Sequence, residues 1–361
     1  VNLTAQLKLE PTARQALALR ATLVASNAAC DYISGVAWES KSFRRFDLHR
    51  RCYREARKRF GLSAQAAVRC ISKVADSYKL DRKAKRSFRP MGSAAYDQRI
   101  LSYNLEASTV SIRALEGRLR ISFVCGEHQR KMLVSRKGET DLAFVRGKWY
   151  ALASCSMPNP KTTEPCGFLG VDLGVAQIAA DSDGKLYSGS GIKSVRHRQR
   201  RLRAKLQSKQ SRSAKRRLQK LSGKERRFAK HVNHVISKQI VAAAERTGRG
   251  IAVEELTGIR DRIRARRRQR GVLHSWAFAQ LRAFLEYKAK LAGVRLIAVD
   301  PRNSSRECSV CGHAEKRNRP NQSTFRCAAC GFAAHADTNA ACVIAGRAAV
   351  SGPNVASCAA V

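Results

Sequence analysis

Apolar and polar positions alternate over the first ten residues, with Leu3, Ala5, Leu7 and Leu9 on one face, and the alternation stops at Pro11. A period of two predicts a strand. From 12 to about 38 the spacing lengthens to that of a helix. A second helix is predicted over about 47–60, where Leu48, Cys52, Ala56 and Phe60 share a face. A third runs over 63–78 behind Ser63, a good N-cap, through Ala67, Cys70 or Ile71, Val74 and Tyr78. Between about 100 and 156 short alternating runs return, at 109–112, 119–123, 142–144 and 149–153. They predict a small antiparallel barrel or sheet, completed by the N-terminal strand and interrupted by the three helices. The Pro-rich stretch 157–165 reads as a linker.

Beyond the linker, an apolar strand at 168–175 carries Asp172 in its middle, and strand-like sequence continues to about 187. In the stretch 196–230 apolar residues thin to two helical stripes, Leu202 with Leu206 and Leu218 with Leu221, broken at 208–213. A helix at 232–246 ends at Gly248, and a strand at 250–256 carries Glu254 beside Glu255. A helix over 273–291 presents Ala277, Leu281, Phe284, Leu285 and Leu291. A strand over 294–299 ends at Asp300-Pro301, and a last helix starts near Asp337. The tail from 348 is small-residue sequence with little to hold it.

Charge changes this picture most. The 361 residues have room for two or three domains, and their 70 Lys+Arg against 27 Asp+Glu give a net +43. Such an excess repels itself unless a polyanion offsets it, which points to nucleic acid and to salt-sensitive binding. The stretch 196–230 holds sixteen Lys/Arg and one Glu, too unbalanced for i,i+4 ion pairing. Phosphate contacts are expected from Arg196, Arg198, Arg200, Arg201, Arg203, Lys215, Arg216, Arg217, Arg226 and Arg227. A second basic patch adds Arg264, Arg266, Arg267 and Arg268. Trp38, Tyr53, Tyr78 and Tyr96 serve equally well as stacking platforms or as core. There is no apolar run of membrane-spanning length, no lipidation motif and no signal-peptide layout, so a membrane role is not expected and an intracellular setting is. Cys30, Cys52, Cys70, Cys125, Cys155, Cys166, Cys342 and Cys358 lack paired spacing and read as reduced thiols.

Two candidate metal sites stand out. Cys308-x-x-Cys311 and Cys327-x-x-Cys330, separated by fifteen residues, have the spacing of a four-thiolate Zn²⁺ ribbon. Asp172, Glu254 and Asp337 sit on two strands and at a helix start within an order β-β-β-α-β-α-β-α. Neighbouring strands lie about 4.8 Å apart, so such carboxylates, completed by one at the start of an adjacent helix, can cluster over one sheet edge. Clustered carboxylates repel unless divalent cations fill the gap, as in a Mg²⁺ or Mn²⁺ site. Two ions about 4 Å apart suit phosphodiester hydrolysis. Singly each residue is weak: alternation alone leaves Glu254 and Glu255 both open, Asp300 at a strand end is either a further ligand or a turn starter, and Asp337 also suits an N-cap.

Together Gly170-Val171-Asp172-Leu173-Gly174, Val253-Glu254-Glu255-Leu256 and Asp337-x-Asn339-Ala340-Ala341, with the cysteine pairs before the last, resemble the three RuvC motifs of the TnpB family. These are OrfB-type proteins of IS200/IS605 transposons and are ancestral to Cas12 effectors. The resemblance implies a fold of α/β plus all-β class: an RNase H-like RuvC domain with an inserted four-cysteine zinc ribbon, preceded by a wedge-type β-barrel with an inserted helical recognition domain. The implied map is barrel 1–11 and 80–160, helical insert 12–79, nuclease 166–301 and 331–347, ribbon 302–330 and flexible tail 348–361. It assigns catalysis and two Mg²⁺ (or Mn²⁺) ions to Asp172, Glu254 and Asp337, choosing Glu254 over Glu255, and structural Zn²⁺ to the four cysteines. It implies a guide RNA from the transposon end, double-stranded target DNA cut beside a short adjacent motif, one protein per guide, and a prokaryotic cytoplasm. Two departures are Glu255, where the family usually has Asp, and Val343, where Asn is common. The rival reading of an idle regulator is disfavoured by the intact acidic set; that of a transposase is disfavoured by the resemblance, which implies a family dispensable for strand joining, and by the lack of a dimerisation seam.

Overall fold

The computed structural model describes residues 1–174, 177–188, 190–255 and 278–351, with the side chains of 188, 190–193, 196 and 351 left aside. Arg264, Arg266, Arg267, Arg268, the start of the 273–291 helix, Cys358 and the end of the tail lie outside the described residues, as does the side chain of Arg196. The chain divides into two compact units, Val1–Met157 and Pro158–Val361.

In the first unit, β1 (Asn2–Glu10) lies at the centre of a seven-stranded sheet. Its partners are β7 (Lys148–Ser156) and β5 (Gly117–Val124), both antiparallel. Outward follow β6 (Arg136–Val145) and β2 (Ala94–Tyr96) on one side, and β4 (Thr109–Ala114) and β3 (Leu101–Asn104) on the other. The two edge strands, β2 and β3, are joined by residues 97–100 alone. Five Cα–Cα steps reach about 18 Å at most, so the sheet curls until its edges approach. Tyr103 of β3 bonds across that gap to Thr140 of β6 at 3.3 Å. The barrel is filled by Leu7, Leu9, Val110, Ile121, Leu142 and Ala151, and by Met132 and Leu133 of α4 (Glu127–Val134). That helix has only eight residues, too few to print a helical period on the sequence.

Three helices lie between β1 and β2. α1 (Ala13–Glu39) starts at a reciprocal cap between Thr12 and Gln15. α2 (Arg45–Phe60) ends at left-handed Gly61, and α3 (Ala64–Leu80) starts at Ser63, whose hydroxyl accepts from the Ala66 N–H. They share a core of their own that includes Ile33, Leu48, Cys52, Ile71, Val74 and Tyr78, while Leu19 and Leu23 of α1 pack into the barrel core. Tyr78 and Tyr96 are buried core residues. Trp38 and Tyr53 are half-buried beneath Lys41 and Arg57.

The second unit is built on a five-stranded sheet of order β10-β9-β8-β11-β12. β8 (Phe168–Asp172), β9 (Gln177–Asp181) and β10 (Leu186–Ser188) run antiparallel in turn. β11 (Gly250–Glu254) and β12 (Leu296–Val299) run parallel to β8. One face carries Leu169, Val171, Ile251 and Val253 against α6 (Arg212–Arg246) and α7 (Phe278–Leu291). The other face carries Phe168, Ala252 and Val299 against α8 (Ala336–Ser351). α6 is continuous where the apolar stripes promise two helices. Its 35 residues span about 52 Å, and its first turns pair with α5 (Ser190–Ser208) through Leu206, Ala214 and Leu221. The break at 208–213 is therefore the hairpin turn, and the apparent break before 232 only marks where α6 passes from α5 to the sheet. α8 also continues beyond 348, where sequence composition predicts a loose tail: Ala348 is fully buried because it packs on the sheet.

One glycine decides how near α8 comes. A Cβ on Gly170 lies 1.9 Å from the Ala341 carbonyl oxygen and 2.7 Å from the Ala345 nitrogen, both backbone atoms. Gly170→Ala is expected to destabilise the C-terminal unit by about 3 kcal/mol, the upper end of ordinary overpacking, in denaturant titration. Gly346→Ala, where a Cβ meets open space, is expected to be neutral or to stabilise by up to about 1 kcal/mol through helix propensity.

Candidate active site

Asp172 ends β8 and Glu254 ends β11, at the same end of two adjacent parallel strands. The register pairs Val171 with Val253, so the next residues, Asp172 and Glu254, both turn to the α8 face. Glu255 turns the other way, where it forms a two-pronged bond with Arg282 of α7 at 2.6 and 2.8 Å. α8 runs back along β8, with Ala341 over Gly170, which brings its first turn and Asp337 to the end that carries both strand carboxylates. Glu254 and Asp337 are buried, and Asp172 is partly exposed.

The three charges feel one another. Removal from water, and then the charges of Glu254 and Asp337, push the Asp172 carboxyl up to about 7, against a smaller downward pull from Arg319. Burial also raises Glu254, opposed by a hydrogen bond from Ser304 and by the charge of Arg347. Arg319 donates to Asp337 Oδ1 at 2.9 Å and to the Gln322 carbonyl at 2.9 Å. Ser304 donates to Glu254 Oε1 at 2.5 Å. Nothing in alternation or spacing marks Ser304 or Arg319, because both reach the carboxylates from irregular segments folded over the sheet.

The four cysteines form the second site. Cys308 and Cys330 sulfurs are 3.7 Å apart, and Cys311 and Cys327 sulfurs 3.5 Å. Zn–S bonds of about 2.3 Å place tetrahedral sulfurs about 3.8 Å apart, so the set fits zinc. Both knuckles are built alike. The Gly312 N–H bonds to the Cys308 carbonyl and the Gly331 N–H to that of Cys327, with φ of 74° and 75°. A glycine after each Cys-x-x-Cys is thus required by the left-handed turn, a signal present in the sequence that cysteine spacing overlooks. The Cys330 N–H, aimed at the Cys327 sulfur, helps pull that thiol down to about 6, towards the thiolate a metal needs. Among the described residues these cysteines are the one group of three or more potential ligands whose donor atoms all lie within 4.8 Å of one another. Buried Asn339 ties the ribbon to α8, donating to the Glu307 carbonyl at 2.7 Å and accepting from the Ser309 N–H at 3.0 Å.

Arg198, Arg200, Arg201, Lys215, Arg216, Arg217, Arg226 and Arg227 are all exposed along the α5–α6 hairpin. Arg203 differs: it pairs with Glu225 and so fastens the two helices together.

Both sites predict measurable responses. A carboxyl whose pKa rises on folding adds stability below its ordinary value of 3.8, and that contribution is lost as the pH climbs through about 7. Asp172→Asn is therefore expected to raise the melting temperature of the metal-free protein at pH 8, by roughly 2–4 °C per kcal/mol of repulsion relieved, and to leave it unchanged near pH 3.5. Cys327→Ser is expected to lower bound zinc from about one equivalent, measured on the purified protein by atomic emission, and to expose the ribbon to proteolysis.

Comparison with known proteins bears on both sites. Residues 151–258 match a family model described as "Probable transposase", and residues 278–344 match one described as "Cas12f1-like, TNB domain". The CRISPR-associated endodeoxyribonuclease Cas12f1 of Syntrophomonas palmitatica is 33% identical over 205 residues, covering 52% of this chain and 40% of that protein. The TnpB-like protein MJ0751 of Methanocaldococcus jannaschii is 28% identical over 210 residues, covering 54% of this chain and 74% of that protein. The chain spans half or less of the length of the Cas12f relatives it matches. A solved structure of the mini-RNA-guided endonuclease CRISPR-Cas_phi3 shares the fold, with a TM-score of 0.58 at 10% identity, covering 99% of this chain and 93% of that one. Two family segments thus lie in order along the second unit, and the chain is similar both to a TnpB-like protein and to Cas12f proteins.

Proposed function

We propose that the chain is an RNA-guided DNA endonuclease of TnpB type, cutting beside a short target-adjacent motif by two-metal phosphodiester hydrolysis. The observation that carries this is the convergence of Asp172, Glu254 and Asp337 at one end of β8, β11 and α8, where burial and mutual repulsion hold Asp172 at about 7. Three carboxylates that repel one another in this way fit a divalent site. Two-metal hydrolysis takes such a set of carboxylates as ligands for a pair of ions about 4 Å apart. When bound, Mg²⁺ or Mn²⁺ supplies water activation and charge stabilisation of the leaving oxygen.

The protein's own groups prepare that chemistry. Asp172, Glu254 and Asp337 hold the cations. Arg319 balances Asp337 and can turn its remaining N–H groups to a phosphate oxygen. The exposed cations of α5 and α6 grip nucleic-acid backbone without reading bases, as suits a guide–target heteroduplex whose sequence is read by pairing. In the same reading the first unit is a wedge-type barrel (1–11 and 80–160) with a recognition insert (12–79), and residues 302–330 are a structural zinc ribbon within the nuclease. The partners are a guide RNA from the transposon end and double-stranded DNA, with one protein per guide, in a prokaryotic cytoplasm. No described helix is long and apolar enough to cross a membrane.

Asp172→Ala is expected to lower cleavage of a guide-matched plasmid by at least about 10³-fold while guide RNA affinity changes less than about twofold. Retained cleavage in that variant sinks the assignment. Sequencing the RNA that copurifies from the native locus is expected to return one discrete species from the element end; heterogeneous cellular RNA argues against guidance.

A further inference from the structure

The chain leaves β12 beside Glu254, because the register pairs Val299 with Glu254. It then turns sharply. The Arg302 N–H bonds to the Asp300 carboxylate at 2.9 Å, and the Arg306 and Glu307 N–H groups bond to the Asn303 carbonyl at 2.8 and 2.9 Å. Asn303 takes φ +60°, a left-handed conformation that asparagine tolerates better than most residues. The far side of the turn is fixed twice: Arg347 pairs with the Glu307 carboxylate, and Asn339 holds the Glu307 carbonyl. The outcome is that Ser304 is 4% exposed and lies against a Glu254 that is 8% exposed. Its hydroxyl has one proton and two acceptors in reach, Glu254 Oε1 at 2.5 Å and the Pro301 carbonyl at 3.1 Å. An ionised carboxylate wins that proton, since charge assistance roughly doubles the strength of the bond.

We propose that Ser304 is a positioning residue for Glu254: from a turn braced by α8, its hydroxyl fixes the rotation of the carboxylate so that one oxygen is held and the other is left for a cation. This rests on the carboxylate cluster being the divalent-metal site argued above. Among the described residues Ser304 is the side chain that hydrogen-bonds the Glu254 carboxylate, while Arg347 acts on it through charge alone and so fixes its rotation less sharply. An outer partner of this kind sets ligand orientation and commonly accounts for 10–100-fold in metal affinity or activity.

The test uses the full, zinc-loaded chain and Mn²⁺ alone as the probe, with affinity read by electron paramagnetic resonance and cleavage followed in parallel. Ser304→Ala is expected to weaken Mn²⁺ binding about tenfold or more. It should slow cleavage at low Mn²⁺ and recover most of the rate at saturating Mn²⁺, with zinc content unchanged. Ser304→Thr, which keeps the hydroxyl, is expected to restore the affinity to within about threefold. Loss of rate at every Mn²⁺ concentration with parental affinity would mark Ser304 as merely structural and overturn the proposal. Asp172→Ala separates the layers. If it loses Mn²⁺ binding while Ser304→Ala does not, the positioning role alone fails; if it binds Mn²⁺ like the parent, the metal site itself is misassigned and both fall.

Discussion

The close seating of α8 on β8 is the constraint on which the second unit depends. Backbone meets backbone at Gly170, with no room for even a methyl group. That contact sets how far along the sheet the helix lies, and so brings Asp337 to the strand ends that carry Asp172 and Glu254. A parallel pairing of β8 with β11 provides the rest, because register alone turns Asp172 and Glu254 to the same face. Three negative charges then meet where burial makes each of them costly.

The surroundings answer that strain without removing it. Arg319 and Ser304 each hold one carboxylate, and both belong to the segment between β12 and α8. The same segment contains the four-cysteine cluster, which Asn339 fastens to α8. The cysteine segment is therefore more than a staple set beside the sheet. A closed four-thiolate zinc site would perform no hydrolysis of its own, yet it would stiffen the loops from which two side chains reach the acidic cluster.

Charge is divided sharply within the chain. A net +43 is spread over exposed helices such as α5 and α6, whose shared core is a handful of aliphatic side chains. So thin a core suits a hairpin that gains order from a polyanion. Three of the 27 acidic residues, Asp172, Glu254 and Asp337, meet instead at the end of a well-packed sheet, where rigid strands hold two of them at fixed spacing.

Much of this is legible in the residues alone. Alternation reveals β1, and Thr12 and Ser63 mark where helices begin, because caps and periods are local chemistry that neighbours rarely override. The cysteine pairs announce a metal site by spacing, and sixteen cations against one anion announce a polyanion. Short α4, the unbroken course of α6 and the buried end of α8 are not legible, since each is stabilised by surfaces distant in sequence. The choice between Glu254 and Glu255 is of that kind: adjacent residues with the same chemistry are separated only by the face each meets, one towards Asp172 and α8, the other towards Arg282. Ser304 and Arg319 are the extreme case. A lone serine and a lone arginine carry no pattern, and only the folding of an irregular segment over a sheet end brings a hydroxyl and a guanidinium within reach of carboxylates that are distant along the chain.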